Sequence, residues 1–161
     1  MAYRRAKSIG DRVIRANHWG KMRTAPELPK RTRSLIDQNI NKTGFIQNPQ
    51  NQRTARIPRG SATDSNVIYA AKCKRHQLLY IGMTGGALNT RFSGHRSDIV
   101  NYPERCELPK HFKEGGCNFT TDLEVSILEH VRGGAATRLL KEDKWIRRLD
   151  TMSPNSLNEK T

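Results

Sequence analysis

Val67-Ile-Tyr-Ala-Ala-Lys-Cys73, Lys74-Arg-His-Gln77 and Leu78-Leu-Tyr-Ile-Gly82 follow one another: an apolar, β-branched run, a polar break and a second apolar run. Two such runs joined by a short polar segment form an antiparallel hairpin, and the Gly85-Gly86 pair ends it. Each arm carries one tyrosine, Tyr69 and Tyr80. A strand tyrosine taken alone is usually an amphipathic packing residue, so the pair acquires meaning only from what surrounds it.

Working outward, the spacing predicts a helix from Ala87 to about Val100 with Leu88, Phe92 and Ile99 on its apolar side. Arg91 and His95 stand one turn apart on it. A loop with Pro103 and a short helix over 108–113 follow. Asp122-Leu-Glu-Val-Ser-Ile-Leu128 alternates with period two, as a strand with one face on a core does. After Gly133-Gly134, Leu139, Trp145, Ile146 and Leu149 mark a last helix over 135–149 with Glu142 at the edge of its stripe. Pro154 stops it, and a turn ending in Asn158 closes the chain. The order strand, strand, helix, strand, helix predicts an α+β domain over 66–161, a small antiparallel three-stranded sheet flanked by helices.

The first 65 residues read differently. Fourteen of the 29 Lys and Arg of the 161-residue chain, but only three of its 15 Asp and Glu, fall before position 61. Apolar residues are sparse there, and only 31–40 has helical spacing, through Leu35, Ile36 and Ile40. The expectation is a basic, partly extended arm over 1–65 with one short helix. A net charge of +14 points to a polyanionic partner. No run of about 18 apolar residues is present to span a membrane and no secretory leader is evident, which predicts a nuclear location, or a cytosolic one before nuclear entry. Three cysteines then argue for free or metal-bound thiols over a disulfide framework.

Five residues could share one chemistry. Cleaving a phosphodiester needs a cation for the charge that develops, a carboxylate to hold a divalent ion, and a hydroxyl or imidazole to activate water. Arg91, Glu142, Tyr69 and Tyr80 supply these, with Asn158 in the closing turn.

As an ordered set, Val67-Ile-Tyr69, Tyr80-Ile-Gly82, Arg91-Phe-Ser-Gly-His95-Arg, Asp122-Leu-Glu-Val, Arg138-Leu-Leu-Lys-Glu142-Asp-Lys-Trp145-Ile and Pro154-Asn-Ser-Leu-Asn158 resemble the GIY-YIG endonuclease family. Within that family they resemble the endonuclease module at the C-terminus of Penelope-like retroelement polyproteins. Val67 stands where the family has glycine, and the polar N-terminal stretch with Trp19 looks like the linker that precedes this module.

The resemblance implies roles. Tyr69 and Tyr80 are the paired tyrosines, Tyr69 the one nearer to activating water. Arg91 sits on the scissile phosphate, Glu142 is the sole protein ligand of Mg²⁺ or Mn²⁺, and Asn158 anchors the rim. A lone carboxylate suits Mg²⁺, which keeps most of its waters. A phenol with a pKa near 10 is a poor base at neutral pH. Tyr69 lowered by Arg91 or the metal, His95, or hydroxide on the metal therefore all stay open as the base.

Cys73 and His76, at x₂ spacing, form half of a zinc site. The resemblance implies two further ligands downstream, which gives the set Cys73, His76, His95 and His111 as a structural zinc staple; Cys106 and Cys117 are set aside. The function implied is nicking of duplex DNA to leave a 3′-hydroxyl that primes reverse transcription of the element RNA by the reverse transcriptase part of a longer polyprotein. A catalytically silent nucleic-acid-binding module, or a structure-specific repair nuclease of the same fold, are the alternatives.

Overall fold

The computed structural model describes residues 34–154 and 156–159. The part of the expected arm before Ser34, Trp19 included, lies outside them. Helix α1 (Leu35–Asn39) opens the described chain, capped where Asp37 N–H donates to Ser34 Oγ at 3.2 Å while the Asp37 carboxylate accepts from the Ser34 N–H at 3.3 Å. A small hairpin follows, β1 (Phe45–Gln47) against β2 (Thr54–Arg56). Then come β3 (Val67–Cys73), β4 (Leu78–Thr84), α2 (Leu88–Asn101), a 3₁₀ turn (Pro103–Arg105), α3 (Glu107–Glu114), β5 (Leu123–His130) and α4 (Ala135–Leu149).

The main sheet has the order β4-β3-β5 and both pairings are antiparallel. The fold is therefore α+β, with a three-stranded antiparallel sheet between helices. Because β3 is central, both of its faces are covered. Val67, Tyr69, Ala71 and Cys73 meet Leu88, Phe92, Leu108 and Phe112 on one side. Ile68 and Ala70 meet Trp145 and Leu149 on the other. Each large side chain so buried contributes on the order of 2 kcal/mol.

Residues 34–65, read from sequence as the end of a partly extended arm, are folded onto this domain. Ile36 joins the first of these clusters, and Ile46, Ala55 and Ile57 join the second. They cannot make a core of their own, but they complete one already present.

Helix α4 faces the sheet with a stripe different from the one its leucines suggest. Arg138, Glu142, Trp145 and Leu149 point inward at i, i+4, i+7 and i+11, whereas Leu139 is 57% exposed. Glu142 thus belongs to the inward face itself, below the buried Trp145.

Candidate active site and metal centre

Tyr69 is opposite Gly82 in the β3–β4 register, and the pairing decides where its hydroxyl goes. A Cβ on Gly82 would lie 2.6 Å from Tyr69 Oη and 2.8 Å from the Tyr80 ring, so only glycine leaves room for both phenols. The two rings stand 6.4 Å apart between centroids. On α2, Phe92 packs edge-on against Tyr69 at 5.1 Å. Arg91 and His95, four residues apart, flank it from the same helix face.

The hydroxyl of Tyr69 is held from two sides. Arg91 Nε donates to it at 3.2 Å, so its own hydrogen turns to His95 Nε2, 2.8 Å away. That fixes the remaining imidazole hydrogen on Nδ1, which faces the Cys106 sulfur at 3.9 Å. Tyr69 and His95 are both 0% exposed, while the outer end of Arg91 is in solvent. Arg91 therefore keeps its outer donors free for an anion.

Burial dominates the proton affinities here. It pushes Tyr69 up to about 12 against the pull of Arg91, and raises Tyr80 further still. Burial first, and the Arg91 charge second, lower His95 to about 3. Burial lifts the Glu142 carboxyl above the usual range, opposed by Arg91, and Glu142 in turn acts on both phenols. The acid on α4 thus faces the tyrosines and the guanidinium. No hydrogen bond or ion pair engages its carboxylate among the described residues, which leaves both oxygens available to a cation.

A stability consequence follows from His95. In the unfolded chain it binds a proton below about pH 6.5, whereas in the folded protein it stays neutral down to about 3. Between these values the unfolded state holds the extra proton, so stability falls as pH falls, at up to about 1.4 kcal/mol per pH unit. His95→Gln is expected to remove about one proton from the pH dependence of unfolding between pH 6.5 and 5, read from urea midpoints in buffers across that range. An unchanged slope would contradict a neutral buried imidazole.

Asn158, expected to anchor the rim, bonds to the backbone of β4. Its Oδ1 accepts from Ile81 N–H at 2.9 Å and from the Thr151 hydroxyl at 2.8 Å, and its Nδ2 donates to Ile81 O at 2.8 Å. It splices the closing turn to the outer edge of β4, between Tyr80 and Gly82, and is a positioning residue.

A second cluster lies at the far end of β3. Cys73, His76, His111 and Cys117 bring one donor atom each to within 4.8 Å of one another. Cys117 Sγ is 3.1 Å from His76 Nδ1, 3.5 Å from Cys73 Sγ and 4.0 Å from His111 Nε2. Bonds of about 2.3 Å to sulfur and 2.0–2.1 Å to nitrogen around a tetrahedral ion give donor separations of roughly 3.3–3.8 Å, close to those seen. Two thiols, two imidazoles and no carboxylate suit a tetrahedral, thiophilic ion.

This corrects the four ligands chosen from sequence. His95 is not among them, because α2 commits it to Tyr69. Cys117 takes its place, since the Gly115–Gly116 turn, tied down by Arg75 Nη1 donating to Gly116 O at 3.0 Å, folds it back onto Cys73. The signal was present in the chain: Cys73-x₂-His76 and His111-x₅-Cys117 are two short-spaced ligand pairs of the zinc-site kind.

No family model matches the chain, and no curated protein does. Among solved structures it is similar to the catalytic domain of the homing endonuclease I-TevI, with 21% identity and a TM-score of 0.47 over 59% of this chain and 98% of that one. It is likewise similar to a mutant of the catalytic domain of the intron endonuclease I-TevI, with 23% identity and a TM-score of 0.47 over 56% of this chain and 89% of that one.

Proposed function

We propose that this chain is a metal-dependent DNA endonuclease of the GIY-YIG kind that nicks duplex DNA by hydrolysis and leaves a 3′-hydroxyl. The observation that carries the reading is the convergence on one buried hydroxyl. Tyr69 Oη lies between Arg91 Nε and His95 Nε2, with an unpaired carboxylate, Glu142, acting on the same group from α4. A protein that only held nucleic acid would have no use for an inward-facing acid beside a phosphate-binding arginine.

The residues divide the work by position. Arg91 takes the scissile phosphate with its solvent-facing donors and stabilises the charge that grows on it. Tyr69, a phenol far too weak an acid to ionise at neutral pH and enclosed in the free protein, works as a relay once substrate binding admits the attacking water: its oxygen receives the proton of that water while its own proton passes to His95 Nε2. No phenolate has to form. Burial first, and the Arg91 charge second, make His95 a poor acceptor in the free protein; a bound phosphate that neutralises the cation offsets the second of these and shifts the imidazole toward accepting the proton. Glu142 fits Mg²⁺ or Mn²⁺ as a single carboxylate. Such an ion, when bound, supplies polarisation of the phosphoryl oxygen and stabilisation of the leaving oxygen.

The Cys73, His76, His111 and Cys117 cluster is read as a structural zinc site, and the basic N-terminal stretch as a source of sequence-independent phosphate contacts. Together with the motif order, this favours the endonuclease module of a Penelope-like retroelement. Such a module would act in the nucleus beside element RNA and a reverse transcriptase. Supercoiled plasmid is expected to become open circular with Mg²⁺ or Mn²⁺ and to stay intact with chelator. Plasmid that remains supercoiled with every divalent ion, at protein levels that retard it on a gel, would replace the nuclease with a silent binder.

A further inference from the structure

Among the described residues, four lysines and arginines are partly buried: Lys72, Lys110, Arg138 and Lys141. Three of them face an acid. Lys72 meets Glu124 at 3.1 Å, Lys110 meets Glu107 at 3.7 Å and Lys141 meets Glu129 at 2.6 Å. Arg138 has no carboxylate partner, and its one side-chain hydrogen bond runs from Nη1 to the neutral amide oxygen of Asn66. Partial burial of a cation costs free energy that a neutral amide offsets only in part. An arriving anion would offset the rest.

The seat that holds this arginine is specific. Asn66 adopts a left-handed backbone, φ 54°, in which its N–H donates to Gly85 O at 3.3 Å and its carbonyl accepts from Val131 N–H at 2.7 Å. One residue therefore joins the ends of β3, β4 and β5 and also orients the Arg138 guanidinium. The guanidinium lies against Gly85, where a Cβ would come within 2.9 Å of Nη2 and 3.0 Å of Cζ. Gly85 and Gly86 lead from β4 into the helix that carries Arg91, and Arg138 is one turn before Glu142 on the inward stripe of α4. The side chain is thus fixed at the rim of the proposed nuclease site with most of its donors unused.

We propose that Arg138, seated on Asn66 and Gly85, binds the DNA backbone phosphate adjacent to the one that is cut. Adjacency to a cut phosphate rests on the proposed nuclease function, but the binding itself can be measured without any cleavage. The planar fork of arginine suits a phosphodiester held in one orientation, and the glycine lets the guanidinium lie against the backbone.

The test measures binding of the full chain to a short duplex by fluorescence anisotropy over a salt series, without divalent ions. Arg138→Gln is expected to weaken binding about tenfold and to reduce the slope of log affinity against log salt by about 1, as the loss of one phosphate contact does. Arg138→Lys, which keeps the charge and loses the fork, is expected to keep the slope and lose affinity a few-fold. An unchanged slope in Arg138→Gln, accompanied by a lower unfolding temperature, would make Arg138 a pin for Asn66 and overturn the proposal. If the glutamine variant does not fold, wild-type affinity in Arg138→Lys overturns it instead. Wild-type protein that binds but never nicks would sink the nuclease reading while leaving the slope comparison intact.

Discussion

Arg91→Ala and Glu142→Ala are each expected to slow plasmid nicking by about 10³-fold or more while the protein still retains DNA. Removing one donor to a developing oxyanion costs 10²–10³ in rate, and an arginine placed on a phosphoryl group contributes 10³–10⁵. Neither side chain fills the core. Among the described residues, the hydrogen bond that Arg91 makes to the interior runs from its Nε to Tyr69, and Tyr69 keeps its bond to His95 in its absence. Nicking rates in Mg²⁺, set beside gel retention and unfolding temperature, separate the losses. A variant that loses binding and cleavage in parallel, or that nicks at near wild-type rate, contradicts the assigned role.

The second large effect concerns the metal cluster. Structural zinc in small domains supplies folding free energy outright, and in this chain the four proposed ligands would tie the end of β3 to α3 and the turn after it. Purified protein is expected to carry about one equivalent of zinc. A strong chelator is expected to lower the unfolding temperature by about 10 °C or more, since 1 kcal/mol is worth roughly 2–8 °C in a domain of this size. Cys117→Ala is expected to abolish the stoichiometry, whereas His95→Ala and Cys106→Ala leave it unchanged. Metal analysis of the three variants therefore discriminates between the two ligand sets, and a zinc-free, fully folded wild-type preparation removes the site altogether.

The elements that could be read in the chain were those whose apolar pattern matches their geometry over many residues. The β3–β4 hairpin, the alternating β5 and the two long helices announce themselves by period, and Tyr69, Tyr80, Arg91 and Glu142 by their order along the chain. The hairpin β1–β2 was invisible because each strand is three residues long and buries only one, Ile46 or Ala55. No period exists over three residues. Leu139 misled the reading of α4 because apolar type does not reveal that Arg138 and Glu142 occupy the inward stripe.

The fate of His95 is a matter of competition. From sequence it was a metal ligand or a proton carrier, and its place beneath Tyr69 depends on a helix rotation that spacing does not fix. Cys117 is not legible as a ligand because the turn that returns it is made by two glycines, which carry no directional signal. The contribution of Gly82 is also spatial: it is the emptiness beside a phenol, and an empty volume leaves no trace in a residue pattern.

That emptiness separates the two motif tripeptides in how freely they can drift. Val67 lies wholly within the core, as packing material, so a branched apolar residue there does no harm to the phenol two positions on. Gly82 has no such latitude, because the hydroxyl already fills the volume any substituent would claim. In this chain the opening position of the first triplet therefore admits a branched side chain, and the closing position of the second admits none.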